Sequence, residues 1–374
     1  MSNFFDVCIR GDGVVGRAMA LLLAKERLRV ALVAPAADAE KLDKTDIRAY
    51  ALNSASRQLL QTLRAWPEEN FATPVLKMQV WGDAGGAVDF NANGAAQAAL
   101  AWIVDVQELE EQLAQACRYQ GQIERVGQPA PAALNIICEG QKSSSRSALG
   151  AQWTRKPYAQ KAIAARLASS LPHGGVARQW FAGGVAGGDV LALLPMGGAL
   201  GNSLALVWSV SDARAASLEN LAQDAFCAEL AAVCGSGVGN LHLISDRASW
   251  PLALSSADRW VGPGWALAGD AAHAVHPLAG QGLNLGLADA ACLSSVLAGR
   301  EYWRGLGDEK LLRRYERARK ADVAAVGAVT DGLHSLFAHA GPAWQSMRNW
   351  GMNGFASSTP LKNWLARRAT GMSI

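Results

Sequence analysis

Residues 265–287 read WALAGDAAHAVHPLAGQGLNLGL. The apolar run Trp265 to Ala268 has the length of a short buried strand, and it breaks at Gly269-Asp270. Pro277 and a glycine-rich turn then lead into an amphipathic stretch from Gln281, so the segment reads as strand, loop and helix. The first backbone N–H groups of that helix, around Gly282, Leu283 and Asn284, form a positive end that favours a negatively charged group. Asp270, at the strand end, is placed to accept hydrogen bonds from hydroxyls. The bland alternative is a Gly/Ala-rich strand, loop and helix that serves packing alone.

The N-terminus carries a second segment of the same kind. Phe4 to Ile9 reads as a buried strand, Gly11-Asp12-Gly13-Val14-Val15-Gly16 follows, Arg17 to Lys25 is a helical run, and Arg29 to Val33 is the next strand. This is GxGxxG in its βαβ context, where glycines permit a tight turn and close approach of a pyrophosphate to backbone N–H groups. Two residues depart from the usual pattern. Ala34 stands where an acidic residue would hold ribose hydroxyls, and Asp12 sets a carboxylate inside the loop, where it is expected to repel a phosphate and weaken binding. Other glycine clusters (183–188, 197–201, 235–239) lack a strand-to-helix setting and read as turns.

Together these segments resemble the class A FAD-dependent aromatic-ring monooxygenases, whose second FAD motif is roughly GDAAHxxxPxxGQGxN. Gly269, Asp270, Ala271, Ala272, His273, Pro277, Gly280, Gln281, Gly282 and Asn284 match it. Within that family the chain is most similar to the ubiquinone-biosynthesis hydroxylases. Asp46 to Asn53 resembles the family segment DxRxxALN, which gives Arg48 a place near the FAD phosphates or the flavin. Glu139 to Arg146 resembles the third motif, DGxxSxxR, with Glu139 in place of Asp; the extra methylene is expected to disturb a hydrogen bond there. Met78 to Ala92 reads as a hairpin, Ile103 to Ala116 as an amphipathic helix, Leu134 to Cys138 as a strand, and the 117–138 interval is short for the family. Ala162–Leu167, Val190–Leu194 and Ser203–Val210 read as strands, and Leu218–Cys234 as one helical stretch.

The resemblance implies an α/β fold with α+β inserts: a Rossmann-like FAD-binding domain of the para-hydroxybenzoate hydroxylase type, a mixed-sheet substrate domain and a helical C-terminus. The FAD-binding domain is expected over 1–74, 102–150 and 257–332, the substrate domain over 75–101 and 151–256, and the C-terminal helical region over 333–374. It implies cofactor contacts at Gly11, Gly13, Val14, Val15, Gly16, Arg48, Gly269, Asp270, Gly280, Gln281, Gly282, Leu283 and Asn284, with His273, Pro277 and Leu278 as a wall beside flavin and substrate. NAD(P)H reduces FAD, O2 adds at flavin C4a, and the hydroperoxide hydroxylates an electron-rich ring. That chemistry requires no metal and no protein nucleophile, so no catalytic residue is assigned. His273 and His276 invite reading as proton shuttles, but a buried histidine bonded to backbone is the commoner outcome.

Bulk properties agree. At 374 residues with 50% hydrophobic residues the chain supports two or three domains, and a net charge of +3 is too small a bias for nucleic acid. Six cysteines without CxxC spacing show no zinc or disulfide framework and fit a reducing cytoplasm. The N-terminus lacks signal-peptide character, and no stretch reaches the length of a membrane span. Leu311, Tyr315, Ala318, Asp322, Val326, Val329 and Leu333 step at helical spacing, with Arg313, Arg314, Arg317 and Arg319 on the other faces. Beyond Asp331 no acidic residue occurs, while Arg348, Lys362, Arg367 and Arg368 alternate with Trp344, Trp350 and Trp364. That pattern suits either a helical tail on the FAD domain or peripheral contact with a membrane. The expected partners are a polyprenylated phenol and O2, at the cytoplasmic face of the inner membrane, with a homo-oligomer or biosynthetic complex as context. Competing readings are hydroxylation of a soluble aromatic acid, and a degenerate homologue acting as an accessory protein.

Overall fold

A computed structural model describes residues 4–34, 46–82, 86–92, 98–182, 188–275 and 281–338, with only the backbone described at 182 and from 328 onward. The chain opens with β1 (Phe5–Arg10), α1 (Val14–Lys25) and β2 (Val30–Val33). Four of six positions in β1 and all four in β2 are buried, the signature of strands covered on both faces. Next come β3 (Ala49–Leu52), α2 (Ser54–Thr62) capped by Asn53, β4 (Ala72–Val75) and the hairpin β5 (Lys77–Trp81) and β6 (Ala87–Asn91).

The helix expected from Ile103 starts later. Ile103 and Val104 lie in β7 (Ala101–Asp105), and Asp105 ends the strand by capping α3 (Val106–Arg118) with its side chain. The apolar run of the strand feeds directly into the apolar stripe of the helix, which is why the boundary is hidden in the sequence. Only β8 (Ile123–Val126) separates α3 from β9 (Ala132–Ile137), and the short α4 (Ser144–Ala148) follows.

The long β10 (Trp153–Ser169) extends well beyond the expected Ala162–Leu167, because Pro157 and a bulge before Lys161 break its pattern without ending it. β11 (Val176–Ala182), β12 (Asp189–Pro195) and β13 (Ser203–Ser211) continue the same sheet. The single helix expected over Leu218–Cys234 is two, α5 (Asp212–Glu219) and α6 (Gln223–Cys234), interrupted at Asn220–Ala222. Then come β14 (Leu241–Leu243), β15 (Ala248–Ala257), β16 (Val261–Gly262), β17 (Trp265–Leu267), β18 (His273–Ala274), α7 (Gln281–Ala298) and α8 (Glu309–Ala338).

Three sheets result. The first runs β16-β17-β9-β1-β2-β8 and is parallel except at β16; the second, of nine strands, runs β18-β15-β10-β13-β12-β11-β5-β6 with β14 on β10; the third is β3-β7-β4. The largest core packs α1, α3, α7 and α8 around the first sheet, and a second core packs α5 and α6 on one face of the nine-stranded sheet. On the other face, Ala177, Leu194, Met196 and Ala205 meet Ala49, Ala51, Val75 and Ile103 of the three-stranded sheet. That contact sets the nine-stranded sheet beside the loop bearing Arg48. None of the described helices is long and apolar enough to cross a membrane.

Candidate active site

The GxGxxG turn is built by close approach. A Cβ on Gly11 (φ +116°) would lie 2.3 Å from the Cys138 carbonyl oxygen, and one on Gly16 would lie 1.9 Å from the Gly11 carbonyl oxygen. Both positions therefore exclude a side chain, and they lock the turn against the end of β9. Gly13 differs: nothing lies within 4 Å of its Cβ position, and as N-cap of α1 it supplies no side-chain cap. The amide end of α1, at Val14 and Val15, faces that open space with no acidic residue in its first turn.

Asp12, expected to repel a phosphate, is instead neutralised. Arg17 grips both its oxygens at 2.9 and 3.1 Å, and the half-exposed Arg125 adds a bond of 2.7 Å from β8. Two guanidinium groups on one carboxylate leave the loop positive, and Arg17 is held further by the Glu110 carbonyl at 2.7 Å.

The second motif follows the same plan. β17 ends at Ala268, and Gly269 (φ +60°) opens a one-turn 3-10 helix, Gly269–Ala271, that presents Asp270 to solvent. Protein atoms crowd that carboxylate and push its pKa up, while Gln141 (Nε2 to Oδ2 3.3 Å), His273 and Arg48 pull it partly back. α7 begins at Gln281 with no acidic residue in its first turn, and the Cβ position of Gly282 is open. Leu283 is half-buried against the main core. Asn284 turns its side chain inward: Oδ1 accepts from Asn53 N (3.0 Å) and Ser56 Oγ (2.7 Å), and Nδ2 donates to the Ala51 carbonyl (2.8 Å). It thereby fixes the start of α2 beside α7. His276, Pro277, Leu278 and Gly280 lie outside the described residues.

Val15 joins the two motifs. A Cβ on Gly286 would lie 2.7 Å from its Cγ2, and one on Gly269 would lie 3.3 Å from the same atom. The two helix starts are thus held together by one valine between two glycines.

Arg48 is exposed and pairs through Nε and Nη2 with Asp46, and burial lowers its pKa less than that bond raises it. Its own carbonyl accepts from Arg166 Nη2 at 2.7 Å, and the same Nη2 binds Asp105 at 2.9 Å, so β10 is tied to the Arg48 loop. In the third motif Glu139 caps the loop before α4, accepting from Ser143 Oγ (2.7 Å), Ser145 N (3.1 Å) and Ser145 Oγ (2.6 Å). The longer acid thus makes three hydrogen bonds within its own loop. Arg146 lies 3.7 Å over the Trp153 ring and donates to the carbonyls of Ala271 (3.0 Å) and Gln141 (2.8 Å), binding the third motif to the second.

His273 does not form a wall. It is 2% exposed, stacked on Trp260 at 4.8 Å, with Nε2 2.7 Å from Asp289 Oδ2. Its partner is a carboxylate, not the backbone. Asp289 also accepts from Gly269 N at 2.9 Å and from Arg319 Nε at 2.8 Å. Arg319, placed by its spacing on a face other than that of Leu311 and Tyr315, is buried, while Ala318 and Asp322 of the stepped row are exposed. Asp289 was legible only as an acid inside the apolar run LGLADAACL, an anomaly that calls for a buried partner. Its pKa falls below the usual range: burial raises it, but His273 and Arg319 outweigh that.

The donor set fits an anionic dinucleotide carrying a polyol. The start of α1 with open Gly13 and the positive Asp12–Arg17–Arg125 cluster suit phosphates, the start of α7 with open Gly282 suits an electron-rich ring edge, and the exposed Asp270 carboxylate suits hydroxyls. Among the described residues no three His, Cys, Asp or Glu side chains gather to hold a metal.

Comparison with known proteins agrees with this chemistry. The FAD binding domain family matches residues 95–330. Ubiquinone hydroxylase UbiL of Rhodospirillum rubrum is 30% identical over 392 residues, 98% of this chain and 89% of that protein. The 3-demethoxyubiquinol 3-hydroxylase of Escherichia coli is 28% identical over 393 residues, 98% of each chain. Among solved structures, PqsL of Pseudomonas aeruginosa, described as a probable FAD-dependent monooxygenase, has a TM-score of 0.75 at 20% identity, covering 94% of this chain and all of that one. That likeness bears on the fold.

Proposed function

Because the chain belongs to the FAD-dependent aromatic-ring monooxygenases, we propose that it hydroxylates the ring of a polyprenylated phenol in ubiquinone biosynthesis, with NAD(P)H and O2 as co-substrates. FAD, when bound, supplies the reductive activation of O2. The protein's part is to bind, orient and keep water out. The amides at Val14 and Val15 receive the pyrophosphate, and the Asp12–Arg17–Arg125 cluster, with two cations on one carboxylate, adds a favourable field beside them. Asp270 receives ribityl hydroxyls, and the start of α7 at Gln281–Leu283 offsets negative charge on the pyrimidine edge.

One observation carries the substrate reading. Val80, Gln179, Ala192, Val207 and Ala164 form a cross-strand row over β5, β11, β12, β13 and β10. The neighbouring row, Ala177–Leu194–Ala205, packs on the three-stranded sheet, yet Val80, Gln179, Ala192 and Val207 stay only half-buried in the middle of the sheet. Small, mostly apolar residues left open at a sheet centre make a flat floor suited to a ring and an aliphatic chain. A soluble aromatic acid would call for a free cation there. Arg166, on the same face one residue pair away from Ala164, is committed to Asp105 and the Arg48 carbonyl.

The test is NAD(P)H oxidation by the FAD-loaded protein with a prenylated phenol and with a simple aromatic acid, scored by a product one oxygen heavier. Turnover only with the acid overturns the substrate reading. A chain that takes up no FAD supports the accessory-protein reading. The proposal extends to location: a polyprenyl substrate resides in a bilayer, so we place the enzyme peripherally at the cytoplasmic face of the inner membrane, alone or in a biosynthetic complex. Recovery of the activity in a membrane-free fraction, with none pelleting with membranes, would remove that extension.

A further inference from the structure

We infer that Asp289 is a positioning residue for the flavin: its buried carboxylate sets the turn that presents Asp270, so cofactor affinity depends on an acid at 289. The inference rests on the FAD reading above. Asp289 has no exposed surface, and its two oxygens take three donors from three elements: Gly269 N at the 3-10 turn, His273 Nε2 on β18 and Arg319 Nε on α8. Arg319 is fixed in turn by Asp322 (2.6 Å) and the Leu285 carbonyl (3.3 Å), and His273 by the Trp260 ring.

The direction of action follows from the chain. Gly269 sits at φ +60°, and its N–H is aimed by a charge-assisted bond into the interior. Asp270 is the next residue. The Gly269 amide is held on one side and the Ala271 carbonyl is bound by Arg146 on the other, so the backbone that carries Asp270 is fixed at both ends, with its side chain exposed and in contact with Gln141. An apolar residue at 289 would avoid the desolvation of a buried ion pair, so packing alone gives no reason for an acid in the alanine- and leucine-rich α7. A neutral amide of the same shape cannot accept from the amide, the imidazole and the guanidinium together.

The experiment is a double-mutant cycle on FAD affinity, measured by quenching of flavin fluorescence as apoprotein is added. Asp289→Asn is expected to raise the dissociation constant roughly tenfold or more, in line with outer-shell partners elsewhere. In an Asp270→Ala background the same change should matter less than about twofold, since the group it positions is gone. An equal loss in both backgrounds overturns the inference and makes Asp289 a staple of the fold. If Asp289→Asn does not fold, His273→Gln, which keeps the Asp289–Arg319 pair, is expected to show a smaller loss with the same dependence on Asp270; a loss independent of Asp270 overturns it equally. Failure of the wild-type apoprotein to bind FAD overturns the FAD reading itself, and is seen before any variant is made.

Discussion

The region of the two helix starts, called the recess below, and the floor of the nine-stranded sheet are made differently. In the recess nearly every polar side chain has a named partner: Asp12 two arginines, Glu139 two serines, Asp289 three donors, Asn284 three groups on β3 and α2. On the floor the half-buried Val80, Ala192 and Val207 have no directional bonds to offer, and Gln179 is the one polar side chain of the row. Directional bonds fix a ligand of one shape, while a smooth apolar surface tolerates several. On the reading proposed above, the first region would serve the shared chemistry and the second the choice of substrate.

The largest effect should come from breaking the recess. Gly16→Ala would drive a methyl into the Gly11 carbonyl, and we expect at least ~3 kcal/mol of destabilisation and a colourless, early-melting protein. Calorimetry with flavin content checks this, and a yellow variant of normal melting temperature would contradict it. On the floor, Val207→Phe should leave FAD content and melting unchanged while lowering kcat/KM roughly tenfold to hundredfold, because the ring is displaced from the flavin. If both regions respond alike, the division of labour is wrong.

A titration sharpens the comparison. Asp270 has a raised pKa, so the free protein gains a proton there at a higher pH than an ordinary carboxylate does. Protonation removes an acceptor for ribityl hydroxyls, so FAD affinity should fall as pH drops through that raised value. Asp270→Asn should abolish this acid limb, by binding titrations across pH. Asp289 works the other way: its pKa is depressed, so its stabilisation is present above the unfolded carboxylate range and is lost only as pH falls below it. The smallest effect is expected at Asp12. With Asp12→Asn, Arg17 and Arg125 are freed toward the pyrophosphate, and FAD should bind about twofold to threefold tighter at low salt, fading as salt is raised. Weaker binding would show instead that the loop carboxylate is needed to hold Arg17 and Arg125 in place.

Much of this was legible because close approach and left-handed backbone write themselves as glycine: Gly11 and Gly16 leave no room for a side chain, and Gly269 takes φ +60°. Partners distant in sequence were not. Nothing at residue 12 names Arg125, and nothing at residue 289 names Arg319, because the pairing depends on how β8 sits beside β2 and how α8 crosses α7. For the same reason the spacing rule set Arg319 apart from the apolar row of α8: helical periodicity sorts residues by polarity, and a buried guanidinium paired with an acid breaks that rule. The floor was hidden too, since alanine and valine in a strand carry no mark of whether anything covers them.

Val15, wedged between Gly269 and Gly286, ties a residue of the first thirty to two beyond position 260. Neither stretch can therefore be grafted from a distant homologue by itself: a donor bringing alanine at 286 would collide with the resident valine, and one bringing a smaller residue at 15 would leave a hole. Chimeras should tolerate exchange of both ends together, and exchange of one end only where glycine is kept at 286 and valine at 15, so the two ends of the nucleotide fold are coupled although most of the chain lies between them.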